Sequence, residues 1–227
     1  MKSTRLGILG GTFDPIHVGH LDAADAACAA MALDEIVLVP AHDQPLRAVE
    51  PRATVYQRFA LAVLGVEDRP ECRVSDMELV RQGRSYTEDT LRAMHEAGWQ
   101  ASQLFFILGS DAFAGIASWH GYPRFFDLAH FVVIARPGVT IEEATARTPE
   151  LRSRTSPPPR GHVSAEDPTR IFLVHAQTRD VSSTMIRERL ASGLAVDDLV
   201  PPAVARHIHK HHLYGAVDNL HGEDERI

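Results

Sequence analysis

Gly10-Gly11-Thr12-Phe13-Asp14-Pro15-Ile16-His17-Val18-Gly19-His20 joins a short apolar run at 5–9 to an alanine-rich amphipathic stretch at 18–32. An apolar run that passes through two glycines into a helical pattern reads as the first strand, turn and helix of a βαβ unit. The glycine pair lets the backbone approach a phosphate closely, and the N–H groups and dipole of a helix start favour an anion there. His17 and His20, three residues apart, project to one side and can both donate to phosphate oxygens. Two other phosphate loops fit less well. No Lys-Ser or Lys-Thr pair follows the glycines, as a Walker A loop needs. The glycines do not form G-x-G-x-x-G, and no acidic residue ends the second apolar run, which weakens a dehydrogenase reading.

Outward from this stretch, apolar runs recur at 36–39, 72–75, 104–108, 131–135 and 171–175, with helical patterns at 53–64, 87–97 and 111–118 between them. Runs of four to six apolar residues spaced by helices predict an α/β fold: a Rossmann-like, doubly wound parallel sheet with flanking helices, in a single domain. The nucleotide-binding domain is expected to span 1–214. Within it, 139–170 is polar, contains Pro157-Pro158-Pro159 and reads as a surface insertion; 215–227 reads as a polar tail. Ser183 or Thr184 is placed to cap a helix ending near Ser192, with Gly193 just beyond it, and Pro201-Pro202 opens a last helix.

Composition excludes several classes. The chain has 227 residues, 44% hydrophobic, with 23 Lys plus Arg against 30 Asp plus Glu and a formal charge of −7. That is globular, and a net-negative chain is a poor general binder of nucleic acid or anionic membrane. The run 21–33 is too short to span a bilayer and no signal-peptide pattern opens the chain, so a cytoplasmic protein is expected. Cys28 and Cys72 lack metal or disulfide spacing and read as inert, buried thiols. His207 and His211 share a helical face, enough for two metal ligands but short of a closed site.

Three later motifs carry their own chemistry. Ser182, Ser183 and Thr184 open a helix with Arg187 one turn on. Hydroxyls, free N–H groups and a guanidinium fork make a second phosphate cradle there, or simply a capped helix with a solvated arginine. Gly109-Ser110-Asp111 ends the most apolar run, where Asp111 can accept from a ribose or adenine donor or cap the next helix. Trp119 can stack on an aromatic ring or fill the core, and Arg136, after the fifth run, can reach phosphate or form a surface ion pair.

The 10–20 segment resembles the signature of the nucleotidyltransferase superfamily that carries His-x-x-His or Thr-x-x-His. Its full form is similar to the bacterial nicotinate mononucleotide adenylyltransferase family, as are Ser85-Tyr86-Thr87-Glu88-Asp89-Thr90-Leu91, Gly109-Ser110-Asp111 with Trp119, Ala135-Arg136-Pro137-Gly138 and 181–187. The resemblance implies adenylyl transfer from ATP to nicotinate mononucleotide, with Mg2+ held mainly by ATP phosphates and no protein metal ligand. It implies His17 and His20 as catalytic residues. For ATP it implies Gly10, Gly11, Thr12, Phe13, Gly109, Asp111, Ser182, Ser183, Thr184 and Arg187, and for the acceptor Arg47, Tyr86, Thr87, Trp119 and Arg136. The family commonly has Pro-Pro-His before a basic residue after the second strand, where this chain reads Gln44-Pro45-Leu46-Arg47. The imidazole is missing, and His42 is the nearest substitute. Other acceptors stay open (nicotinamide mononucleotide, phosphopantetheine, FMN), as do a non-catalytic nucleotide-binding module and self-association into a homo-oligomer.

Overall fold

The computed structural model describes residues 4–46, 49–159 and 167–216. Its strands are β1 (Leu6–Gly11), β2 (Glu35–Pro40), β3 (Cys72–Val74), β4 (Leu104–Gly109), β5 (His130–Ile134), β6 (Thr155–Ser156) and β7 (Ile171–Val174). They form one sheet in the order β3-β2-β1-β4-β5-β7-β6, and every pairing is parallel. The helices are α1 (Val18–Met31), α2 (Val55–Gly65), α3 (Met77–Arg81), α4 (Thr87–Glu96), α5 (Ser110–Phe113), α6 (Ile141–Ala146), α7 (Ser183–Ala191) and α8 (Pro202–Lys210). This is the doubly wound, Rossmann-like sheet that the alternating pattern predicts.

Alternate strand residues feed two cores, one on each face of the sheet. Leu9, Ile36, Leu38, Ile107 and Val132 pack with Ala24, Ala27 and Met31 of α1 and with Ile186 and Val204. Ile8, Val37, Phe106, Phe131 and Val133 pack with Leu91, Met94, Phe113 and Phe125 on the other face. Each such side chain, fully buried, stabilises the fold by about 1.5–3 kcal/mol relative to exposure. Alanines on the buried side of α1 let that helix lie close to the sheet. Gly7 serves the same end: a Cβ there would sit 2.7 Å from Leu33 Cδ1 and 3.0 Å from Ile107 Cδ1.

The sheet order turns at β1. The chain runs from β1 to β2 on one side and later returns to β4 on the other, which opens a crevice at the carboxyl ends of β1 and β4. All the candidate residues of the 10–20 and 109–111 motifs stand at that end.

Three features differ from the sequence expectation. The five-residue α3, between β3 and Ser85, has too short a period to register as a helix. The expected helix at 111–118 breaks into α5 and a 3-10 turn at Ile116–Ser118, with Gly115, a poor helix former, at the junction. The polar stretch after Val139 carries α6, a 3-10 turn at Pro149–Arg154 and β6, which pairs with β7. Thr140 and Glu143 form a reciprocal capping box for α6, and Ile141, Ala144 and Leu151 are buried. Residues 160–166 and 217–227 lie outside the described residues.

Candidate active site

The 10–20 loop is held from several sides. Asp14, fully buried, accepts the Arg52 and Ala53 N–H groups at 2.9 and 3.0 Å and the Tyr214 hydroxyl at 3.0 Å. Arg58, also buried, donates to the Thr12 carbonyl at 2.7 Å and the His42 carbonyl at 3.2 Å. Phe13 adopts a left-handed backbone (φ 51°), and its buried ring packs edge-on to His20 at 5.0 Å. The Phe13 side chain is therefore a prop beneath the imidazole. Thr12 donates its hydroxyl to Gln44 at 2.5 Å, while Gly10 and Gly11 line the crevice.

His17 is the N-cap residue of α1, and its backbone N–H donates to His20 Nδ1 at 3.2 Å. The two rings stack with centroids 3.7 Å apart. Because His20 Nδ1 is an acceptor, the hydrogen-bond pattern assigns its neutral proton to Nε2, and His20 lines the crevice. His17 is 2% exposed.

The late motif lands on the early one. Ser183 Oγ donates to the Pro15 carbonyl at 2.8 Å, and Arg187 Nη1 donates to the Asp14 carbonyl at 2.7 Å, with the Asp14 carboxylate 3.6 Å away. Arg179 grips Asp22 of α1 through its backbone N–H and two guanidinium nitrogens at 2.7–2.9 Å. Ser182 accepts the Met185 N–H and is the N-cap of α7, one residue before the expected position. The Ser182 and Ser183 hydroxyls are thus engaged in capping and strutting. Arg187 Nη2 donates to Thr184 Oγ1 at 3.1 Å, so both ends of the guanidinium are fixed, and backbone N–H groups at the α7 start are left for an anion. Ser183, Thr184 and Arg187 also line an outer groove of about 600 Å3 with Arg52 and Tyr214.

Across the crevice, Gly109 needs its missing side chain: a Cβ would sit 2.3 Å from Asp111 Oδ1 and 2.5 Å from Arg136 Cδ. Asp111 faces Arg136 Nη1 at 3.7 Å, and Arg136 Nη2 donates to the Val181 carbonyl at 3.2 Å, which ties β5 to the late motif. Asp111 follows the α5 N-cap, Gly109, by two residues and so is not the capping residue. Thr87 and Trp119 line the same crevice, with Trp119 edge-on to Phe106 at 6.3 Å. Tyr86 is stacked on His120 at 4.4 Å at the rim. Arg47 lies outside the described residues. His42 takes no part in lining the crevice; its N–H donates to Ser85 Oγ at 2.9 Å. Residues that sequence reasoning did not single out also form walls: Gln44, Glu78 and Thr90. Gln44 and Thr90 lie within the stretches quoted above without a role of their own, whereas nothing local marked Glu78 as buried.

Burial holds the His17 pKa down to about 3, with the Arg136 charge adding to it and Asp22 partly opposing. His20 is pushed well below its ordinary value by burial, by His17 and by Arg136. Both rings are neutral donors near pH 7, and an incoming polyanion favours their protonation. His130, whose Nδ1 accepts the Arg170 N–H at 3.0 Å, is lowered to about 4 by burial and Arg5. A depressed histidine pKa means that the unfolded chain takes up protons below about pH 6.5 that the native state refuses. Stability contributed by neutral His17 and His130 is thus present above pH 6.5 and lost as pH falls toward 4 and then 3. The slope is at most about 1.4 kcal/mol per histidine per pH unit. The melting temperature is expected to fall between pH 7 and 5, a window in which ordinary carboxylates barely titrate; a flat profile would contradict neutral burial. Both cysteines are free, and burial raises the Cys72 thiol to about 11, which keeps it unreactive.

A parallel sheet with a His-x-x-His loop at its switch point and a basic helix start opposite defines a nucleotidyltransferase. The family model described as Cytidylyltransferase-like matches residues 8–189. A protein of Roseiflexus sp. (strain RS-1) named "Probable nicotinate-nucleotide adenylyltransferase" is 38% identical over 214 residues, covering 94% of this chain and all of that one. One of the same name from Pectobacterium atrosepticum is 40% identical over 210 residues, covering 90% and 96%. The chain belongs to the nicotinate-nucleotide adenylyltransferase family. In fold it resembles the Plasmodium falciparum nicotinic acid mononucleotide adenylyltransferase complexed with NaAD, with a TM-score of 0.71 at 19% identity over 94% of this chain and 98% of that one. Among the described residues, no helix is long and apolar enough to cross a membrane.

Proposed function

We propose that this chain transfers the adenylyl group of ATP to nicotinate mononucleotide, giving nicotinate adenine dinucleotide and pyrophosphate in NAD biosynthesis. One observation carries the reading beyond family membership. Ser183 and Arg187 bond to the backbone of Pro15 and Asp14, so the α7 start abuts the 10–20 loop, which supports a polyphosphate running from the His20 crevice to the groove beside Arg187.

The acceptor's phosphate is already an anionic nucleophile, so no serine, cysteine or general base is required. One of its oxygens attacks the α-phosphorus of ATP, and the bond from that phosphorus to the bridging oxygen of the departing pyrophosphate breaks. The barrier lies in bringing two anions together and in charge that develops on the transferring group, which positioning and fixed donors lower. His17 and His20 donate to the α-phosphate and bridging oxygens, backed by the α1 dipole. Backbone N–H groups of 10–13 lie beside them. Thr184, Arg187 and the α7 N–H groups, with Ser182 and Ser183 shaping that turn, hold the β- and γ-phosphates. Asp111 beside Gly109 accepts from the adenosine. Trp119 stacks on the pyridine ring, amides near Tyr86 and Thr87 receive its carboxylate, and Arg47 and Arg136 meet phosphate.

Nucleotidyltransferases of this kind generally use a divalent metal. Among the described residues no three His, Cys, Asp or Glu side chains converge as a metal site. A Mg2+ would be held mainly by the ATP phosphates, whose charge it would neutralise; Asp111 and Glu78 are carboxylates that line the crevice. Two unpaired thiols fit a reducing, cytoplasmic setting.

Pyrophosphate release with ATP and each of nicotinate mononucleotide, nicotinamide mononucleotide, phosphopantetheine and FMN tests the assignment. Nicotinate mononucleotide is expected to be turned over fastest; preference for a non-pyridine acceptor would overturn it. Trp119→Ala is expected to raise KM for the pyridine nucleotide roughly tenfold, as expected for loss of about 1.4 kcal/mol of stacking, with KM for ATP little changed.

A further inference from the structure

Glu78 sits on α3, an element to which the reaction above gives no part, yet its carboxyl is 7% exposed and forms a wall of the crevice beside Ser85, Thr87 and Thr90. The Thr90 hydroxyl, in α4, donates to Glu78 Oε1. The Ser85 hydroxyl lies near enough to the Glu78 carboxyl to favour its charged form, while Ser85 Oγ accepts the His42 N–H at 2.9 Å. The Ser85 N–H in turn donates to the Asp43 carbonyl at 2.7 Å. The carboxyl therefore holds the first turn of α4 at Thr90 and stands beside Ser85 just before it, and Ser85 joins this wall to the chain that leaves β2. Arg81 stands 3.8 Å from Oε1 and is the nearby cation.

Such a group is costly to bury. A carboxylate removed from water loses several kcal/mol of hydration, and an apolar residue of similar size would fill the same space without that loss. Burial indeed raises the Glu78 pKa, opposed by the Ser85 and Thr90 hydroxyls and by Arg81. What the carboxyl supplies and an apolar residue cannot is a directed acceptor for the first turn of α4. That start is open: among the described residues no side chain caps it, so the N–H groups of its first turn are free to receive an anion.

We infer that Glu78 is a positioning residue for the pyridine acceptor: by accepting Thr90 beside Ser85 it fixes the open α4 N-terminus where the ring carboxylate docks. The inference rests on the acceptor assignment above. Glu78 touches neither substrate and acts through the 85–87 turn.

Steady-state kinetics and calorimetric binding of ATP, nicotinate mononucleotide and nicotinamide mononucleotide, on wild type, Glu78→Ala, Glu78→Gln and Thr90→Val, test it. Glu78→Ala is expected to raise KM and Kd for the acid mononucleotide roughly tenfold or more, the equivalent of about 1.4 kcal/mol. ATP affinity should change less than threefold, and the acid-over-amide ratio should fall. Glu78→Gln keeps an oxygen acceptor and is expected to recover most of the loss; Thr90→Val reproduces part of it and reads the same bond if the alanine variant does not fold. Equal losses for ATP and acceptor, no loss for either, or a glutamine variant no better than alanine would overturn the inference. A wild type that prefers the acid, with variants unaffected, removes Glu78 alone; a wild type that neither binds nor turns over a pyridine mononucleotide removes the acceptor assignment with it.

Discussion

Replacing His20 by alanine is expected to lower kcat by roughly 10²–10³-fold, the size of losing one preorganised donor to a developing oxyanion. The physical basis is the ring's fixed tautomer and surroundings. Its Nδ1 is occupied by the His17 N–H, its face is stacked on His17 and its edge meets Phe13, so the Nε2 donor costs no reorganisation when charge builds on the phosphate. The charge-depressing environment keeps the ring neutral until the polyanion arrives. Loss of the single His17–His20 hydrogen bond costs about 1 kcal/mol, so the melting temperature should drop by only a few degrees. Stopped turnover with an intact melt is the expected pair of results. Near-wild-type kcat would remove His20 from the chemistry.

Asp14→Ala has the largest expected effect on the fold. The carboxylate is fully buried and serves two backbone N–H groups at the approach to α2, the Tyr214 hydroxyl and the Arg187 guanidinium. Alanine leaves the two backbone N–H groups and the Tyr214 hydroxyl without their acceptor and takes the counter-charge from Arg187, which keeps its bond to the backbone carbonyl at that position. Breaking a buried charged network of this kind costs about 3–5 kcal/mol, which for a chain of this length lowers the melting temperature by roughly 10 °C. Asp14 is also the joint between the 10–20 loop and α7. A shift of about 1 Å between them should cost roughly 10²-fold in kcat/KM for ATP. Thermal melts and ATP kinetics on Asp14→Ala and Asp14→Asn check both effects, asparagine keeping one acceptor oxygen and losing less. An alanine variant as stable as wild type would show that the network is not what holds the loop.

Asp14 illustrates what local sequence hides. It lies inside the quoted phosphate-loop stretch, but nothing in its neighbours reveals that residues near 52, 187 and 214 converge on it. Arg58 is similar: on α2 it looks like a solvated helix arginine, yet it is buried and ties Thr12 to His42. The hydroxyls of Ser182 and Ser183 read as phosphate donors from their position; the fold directs the Ser183 proton to the Pro15 carbonyl, while Ser182 caps α7 as an acceptor. Glu78 was illegible for the same reason, because burial is a property of what packs above a residue. The two-residue β6 and the five-residue α3 are too short to leave a period.

Periodicity and turn chemistry alone determined the six longer strands, the helices α1, α2, α4, α7 and α8, the parallel doubly wound sheet and a ligand crevice at the carboxyl ends of its strands. Those features arise from interactions a few residues apart, and a right-handed crossover leaves the chain few other ways to bury both faces of the sheet. Tertiary structure alone decided which donors remain free for a substrate, which are spent on the protein, and which charges are buried. Those outcomes depend on groups more than a hundred residues apart in the chain, such as Arg187 on Asp14 at 2.7 Å, and on the water that their packing excludes.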